Sequence, residues 1–168
     1  PDQELQNLAK KGKLSNPSIL ARQTKRLLAD PRSKRFAKHF TRQWLGMQLL
    51  DYLDVDKEIY KDFDPYLKEA MQTESIALFE DALRENRSVL EFIHADYVIV
   101  NERLALHYGI SDVYGTDFQK VKLPPKDVRG GLLTQPGLLA MNSDGKDSHP
   151  LKRGIWLLES LLNDPPPP

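Results

Sequence analysis

The sequence predicts a protein that is mainly all-α: a multi-helix orthogonal bundle with long loops and at most one tiny β-hairpin. Three observations carry this. Apolar residues recur at helical spacing in several successive segments. Capping residues, prolines and glycines bracket those segments. Only one β-branched run, Tyr97-Val98-Ile99-Val100, interrupts the helical pattern.

Leu5, Leu8 and Ala9 predict a short helix ending near Gly12, and Asn16-Pro17 opens a second with Ile19, Leu20, Leu27 and Leu28, stopped by Asp30-Pro31. A third is expected from about Ser33 to Leu50, with Phe36, Phe40, Trp44 and Met47 as an aromatic-heavy core stripe. After an acidic connector, Asp51 to Asp62, Asp64-Pro65 opens the longest helix, to about Asn86. Its buried side is expected to hold Leu67, Ala70, Met71, Leu78 and Ala82. Glu74 falls on that side too, and a buried carboxylate needs a partner; a basic residue of the first forty is the expected one.

Ser88 caps a short helical turn through His94. Tyr97–Val100 is either a brief strand or an extended buried connector. Asn101 caps a compact helix bearing Leu104 and Leu106, and Tyr108-Gly109-Ile110 has the glycine-then-apolar form of a Schellman ending. Phe118, Val121 and Leu123 are candidates for a small strand before Pro124-Pro125. Thr134-Gln135-Pro136 opens a short helix through Met141, and a polar loop from Asn142 to Lys146 leads into the last helix.

That helix starts at Asp147-Ser148-His149-Pro150. Proline is tolerated in a first turn, and Ser148 or His149 is placed to cap it. Leu151, Ile155, Leu158 and Leu162 predict a helix buried along one stripe. Lys152 and Arg153 occupy the first turn, where the macrodipole is already positive. Either this turn seats an anion, or Asp144 or Asp147 meets its charge from within. With Arg129, beside Gly130-Gly131 whose N–H groups can join an anion site, the candidate ligand-binding set is Arg129, Ser148, His149, Lys152 and Arg153.

At 40% hydrophobic and 29% charged, 168 residues suffice for one folded domain or two small helical subdomains. The absence of cysteine removes disulfides, thiolate zinc sites, cysteine nucleophiles and covalent haem attachment. No apolar run approaches the ~20 residues of a membrane span. Net charge is zero but uneven: residues 1–40 hold ten Lys/Arg against three acids, residues 51–102 fourteen acids against five bases. The two segments are expected to satisfy each other, and no nucleic-acid partner is expected, since no aromatic-interleaved basic motif accompanies the charge. No nucleophile elbow, Walker loop, Rossmann glycine set or His-Glu-x-x-His occurs, so no residue is assigned a catalytic role and the chain does not read as an enzyme. Glu91-Phe92-Ile93-His94 has di-iron spacing but no second copy, and no metal site follows from it. His107 and His149 are the haem or metal candidates, with Met141 as a partner ligand for haem.

Several motifs together resemble a known pair of families. Leu28-Ala29-Asp30-Pro31-Arg32, Phe40-Thr41-Arg42-Gln43-Trp44-Leu45-Gly46 and Asp96 to Ala105 with His107-Tyr108-Gly109-Ile110 are similar to one. Arg129-Gly130-Gly131-Leu132-Leu133-Thr134-Gln135 and Ser148 to Trp156, with the Pro-rich tail, are similar to a second that directly follows it. These resemble adjoining domains of unknown function from large planctomycete-type exported proteins that often carry a cytochrome c-like domain. The resemblance implies a helical domain over 1–125 and the start of the second family over 126–168, packed on the first and ending in a Pro-rich linker. It implies an extracytoplasmic location (periplasmic or cell surface), no cofactor in this segment, and haem in a separate domain. The expected partners are neighbouring domains of the parent protein, a cytochrome c domain among them. The chain is then a middle section of that protein, with some apolar surface exposed at its first helix. The function expected is a non-catalytic helical scaffold or interaction module. The alternative is an anion- or carbohydrate-binding domain, hydrolytic or not, using the cationic helix start at 148–153.

Overall fold

The computed structural model describes residues 1–167 and divides into two compact units, Pro1–Phe36 and the chain from Ala37 onward. Of the expected proline linker, Pro168 lies outside the described residues. In the first unit, α1 (Gln3–Lys10) is capped by Asp2, whose Oδ1 accepts the Leu5 N–H, and α2 (Pro17–Ala29) by Asn16, which accepts from Ser18 and Ile19. No residue of α1 is buried, and α2 buries only Gln23. Polar bonds tie the two helices together. Arg26 donates to both oxygens of Asp2 (2.6 and 3.1 Å) and to Gln23 Oε1, and Gln23 in turn donates to Glu4. The Arg26 hydrogen bond holds Asp2 down to about 2. All three acids of this basic segment, Asp2, Glu4 and Asp30, pair with arginines inside it.

α3 (Ser33–Trp44) carries the chain into the second unit, which continues with α4 (Gln48–Asp51), α5 (Pro65–Glu85), β1 (Tyr97–Val100), α6 (Glu102–Tyr108), β2 (Gln119–Lys122), α7 (Pro136–Met141) and α8 (Pro150–Trp156). The fold is mainly helical, its only described sheet being β1 and β2 paired antiparallel, with Val98 opposite Val121. No described helix is long and apolar enough to cross a membrane. Tyr97–Val100 is thus a strand, buried at all four positions. The helix expected through Leu50 breaks instead at Gly46, which turns at φ +67° while the Met47 N–H reaches back to Arg42 O. α6 ends in the anticipated Schellman geometry, Ile110 N–H to Ala105 O and Gly109 N–H to Leu106 O, but Leu106 itself is exposed.

Two apolar clusters fill this unit. One gathers Leu45, Met47, Leu50, Leu78, Tyr97, Leu132, Leu138 and Trp156; the other gathers Leu67, Met71, Val100, Leu104 and Tyr108. α5 feeds both, burying Leu67, Ala70, Met71, Leu78 and Ala82 as its periodicity requires. Two expected faces are displaced. On α3 the inward residues are Ala37 and Thr41, followed by Leu45, whereas Phe36 (51% exposed) and Phe40 (41%) are not core. Phe40 instead stacks on Phe79 at 4.9 Å, and Trp44 and Phe79 meet Phe92, a ring cluster flanking the core. Of the stripe expected on the last helix, Leu151 (77%) and Leu162 (58%) are exposed, while Ile155 and Leu158 are half-buried. Trp156 turns inward because its indole N–H finds a buried acceptor, Leu45 O at 2.9 Å. The following turn, Leu157–Leu162, is π-helical, a winding that brings residues five apart into register and puts Leu161 on the Trp156 side.

Glu74 is 1% exposed, and no base meets it. Tyr108 Oη donates to its Oε1 at 2.7 Å, while Oε2 has no partner. Burial therefore pushes the carboxyl up to about 8, against the lowering effect of the tyrosine bond. Seven residues on, burial also works to raise Asp81, but hydrogen bonds from Lys120 (2.5 Å) and Arg87 (2.6 Å) outweigh it and hold that carboxyl low. The acidic stretch finds further bases within the same unit: Asp51 takes Arg42, and Asp64 takes Arg103.

Two expectations follow. Trp156→Phe leaves the Leu45 carbonyl buried without a donor, and urea unfolding should report a loss of roughly 1–3 kcal/mol at unchanged m. Trp44→Phe, which frees only the half-buried Ser160 carbonyl, should cost less. For Glu74, the folded carboxyl binds its proton more tightly than the unfolded one. Its contribution is therefore complete below about 4.5 and is lost as pH rises toward about 8. Glu74→Gln should remove that decline, making the variant the more stable protein at pH 8 by on the order of a few kcal/mol while matching the parent at pH 4. Denaturation at both pH values checks the sign.

Candidate functional site

One recess of the second unit is a cavity of about 640 Å³. Its floor is apolar: Leu67 and Met71 come from the start of α5, and Pro136, Leu139 and Ala140 from α7. A further wall comes from Val55 and Ile59 of the acidic connector and from Phe63 directly after it. Lys61, Lys146, Arg153 and His107 stand at the rim with the carboxylates Asp62 and Asp147.

Local chemistry fixes the loop that roofs it. Asp144 Oδ1 accepts the N–H groups of Lys146 (2.9 Å) and Asp147 (2.6 Å), and Ser143 Oγ accepts that of Gly145. Gly145 sits at φ +87°, and a Cβ there would lie 1.8 Å from the Asp54 carbonyl. Only glycine permits this approach, which lets Asp56 N–H reach Gly145 O at 3.0 Å. Tyr60 Oη donates to Lys146 O at 2.9 Å, so the connector and the loop are stitched at two points.

The five residues proposed from sequence are not brought to one place. Ser148 and Arg153 line the cavity, as does His107 from the separate haem-candidate pair. Lys152 is exposed outside it. His149 turns to Asp144, 3.1 Å away, instead of capping α8, and Ser148 provides no cap either. Asp144, held low by the two backbone N–H groups and then by His149, thus meets the histidine and not the two cations of the first turn. Arg129 lies 5.1 Å over the Tyr108 ring and 3.6 Å from Asp127. Gly130 N–H is taken by Thr134 Oγ1, and a Cβ on Gly130 would stand 1.9 Å from Ala95 O.

Of the haem candidates, His107 is exposed at the rim, where desolvation, then Arg103 and Arg129, lower its basicity. Met141 is buried in the first apolar cluster and does not line the cavity. Glu91 of the Glu-x-x-His spacing accepts the Tyr97 hydroxyl at 2.7 Å. Among the described residues no group of three or more His, Asp or Glu side chains stands close enough to hold a metal ion. What sequence reasoning missed is the connector wall. Its signal was present in Val55, Ile59 and Phe63, spaced four apart beneath the more conspicuous acids.

Residues 129–168 match the family described as PSCyt3, a protein of unknown function (DUF1588), whose short name hints at an association with cytochrome-containing proteins. No curated protein and no solved structure matches the chain. Residues 1–110, about two thirds of the sequence, match PSD4, described as a protein of unknown function (DUF1592), and the chain belongs to that family.

Proposed function

We propose that this chain is a non-catalytic helical joint within a larger exported protein, holding neighbouring domains, a cytochrome c-like domain among them, in a set arrangement outside the cytoplasm. The observation that carries this reading is that the two family segments share one core. Leu45, Met47, Leu50 and Leu78 from the first match are packed in the same cluster as Leu132, Leu138, Met141 and Trp156 from the second. Segments that merely followed one another along a chain would each need their own core. Here the second segment buries its apolar side chains on the first, with Ser75 Oγ donating to Gln135 at 2.5 Å inside the contact. An interface of this kind fixes an angle between whatever precedes and whatever follows it. Haem, in this reading, belongs to the neighbouring domain.

Two measurements test it. Truncation before Val128 should abolish the cooperative unfolding transition, because Leu45 and Met47 lose their cover; an intact transition would show that the segments do not depend on each other. Immobilised, haem-loaded cytochrome c-like domain of the parent protein should retain the full chain. Absence of retention would overturn the cytochrome-facing role, and turnover of ester, phosphate or glycoside substrates by the chain alone would overturn the non-catalytic one.

A further inference from the structure

We propose that the cavity under the 143–148 loop binds a small amphipathic organic monoanion, its apolar body against Phe63, Leu67, Met71 and Leu139 and its carboxylate on Arg153. This goes beyond the joint role and does not depend on it. A volume of about 640 Å³ is that of a small-molecule site, and such sites combine an apolar lining with a few convergent polar groups. The ligand's charge follows from the rim. Arg153 is half-buried and has no carboxylate partner among the described residues, and Lys61 and Lys146 line the same cavity. A guanidinium placed so is a fork for a carboxylate.

The rim also sets how much negative charge the ligand carries. Asp62 and Asp147 border the same opening, so a phosphate or another multiply charged group meets carboxylates as well as cations. The floor offers a sugar almost no hydrogen-bond partners, since Val55, Ile59, Phe63, Leu67, Met71 and Leu139 have none to give. A single carboxylate on a broad apolar body satisfies both surfaces. A second recess of equal volume, between α5 and α6, lacks this combination. Its one cation, Arg103, is already bonded to Asp64 and to the Asp62 carbonyl. The cavity is moreover formed before any ligand arrives, because the Asp56 N–H to Gly145 O bond and the Tyr60 hydroxyl to Lys146 O bond pin its roof.

The test uses the full chain and three probes in isothermal titration calorimetry: 2-naphthoate, its neutral analogue 2-naphthylmethanol, and inorganic phosphate. One saturable site is expected for 2-naphthoate, with naphthylmethanol bound roughly tenfold more weakly and phosphate not detectably bound. Arg153→Gln should weaken naphthoate by roughly the same factor and leave naphthylmethanol unchanged. Lys152→Gln, one residue away but outside the cavity, should change neither. Equal affinity for the acid and the alcohol in the unmodified chain would overturn the anion assignment whatever the variants do. Absence of saturable naphthoate binding, tighter binding of phosphate, or an Arg153→Gln variant of unchanged affinity would each overturn the proposal too.

Discussion

Two indole N–H groups cross the second unit in opposite directions, and its packing depends on them. Trp156 donates to Leu45 O, just beyond the end of α3, and Trp44 on α3 donates to Ser160 O in the π-helical turn. Carbonyls at a helix end have no intrahelical partner, and one as deeply buried as that of Leu45 needs a donor from elsewhere. A phenylalanine at position 156 would keep an aromatic ring in the core but leave that group unpaired. The pair thereby selects one rotation of α8 against α3, in which Leu151 and Leu162 are left facing solvent.

α5 shows how environment, and not residue type, decides the state of a carboxylate. Glu74 and Asp81 lie two turns apart on the buried face of one helix. Asp81 receives two cations and stays ionised; Glu74 receives one phenol and is driven toward its neutral form. Lys120 also lies 4.2 Å over the Tyr97 ring, so the cation that satisfies Asp81 belongs to the same small sheet that closes the core. One acid thus ties β2 to α5, while the other makes the contact between α5 and α6 sensitive to pH.

Local signals in the sequence are obeyed closely. Asn16, Asp64, Ser88 and Asn101 all cap the helices or turns they precede, and the β-branched run pairs as a strand. Where expectation and structure part, the reason is a choice made by tertiary contact. On α3 both Phe36-Phe40-Trp44 and Ala37-Thr41-Leu45 satisfy helical spacing, and the smaller set wins because it lies against the core while Phe40 and Trp44 cluster at its edge with Phe79 and Phe92. Glu74 was legible as buried but its partner was not, because Tyr108 lies 34 residues away and carries no charge to attract notice. Of the cationic turn, only Arg153 reaches the cavity. Neither the π-helical winding nor the turn of His149 toward Asp144 leaves a mark in residue spacing.

The cavity's position gives these parts a common consequence. Leu67, Met71 and His107 lie within the first family segment, while Pro136, Leu139 and Arg153 lie within the second. Its walls therefore meet across the same contact that the indoles hold together. A group seated between them touches both segments at once, and whatever free energy it gains on binding is added to the closed arrangement and not to either segment alone. Occupancy of the proposed site would therefore be coupled to the contact between the two segments, whichever role that contact serves.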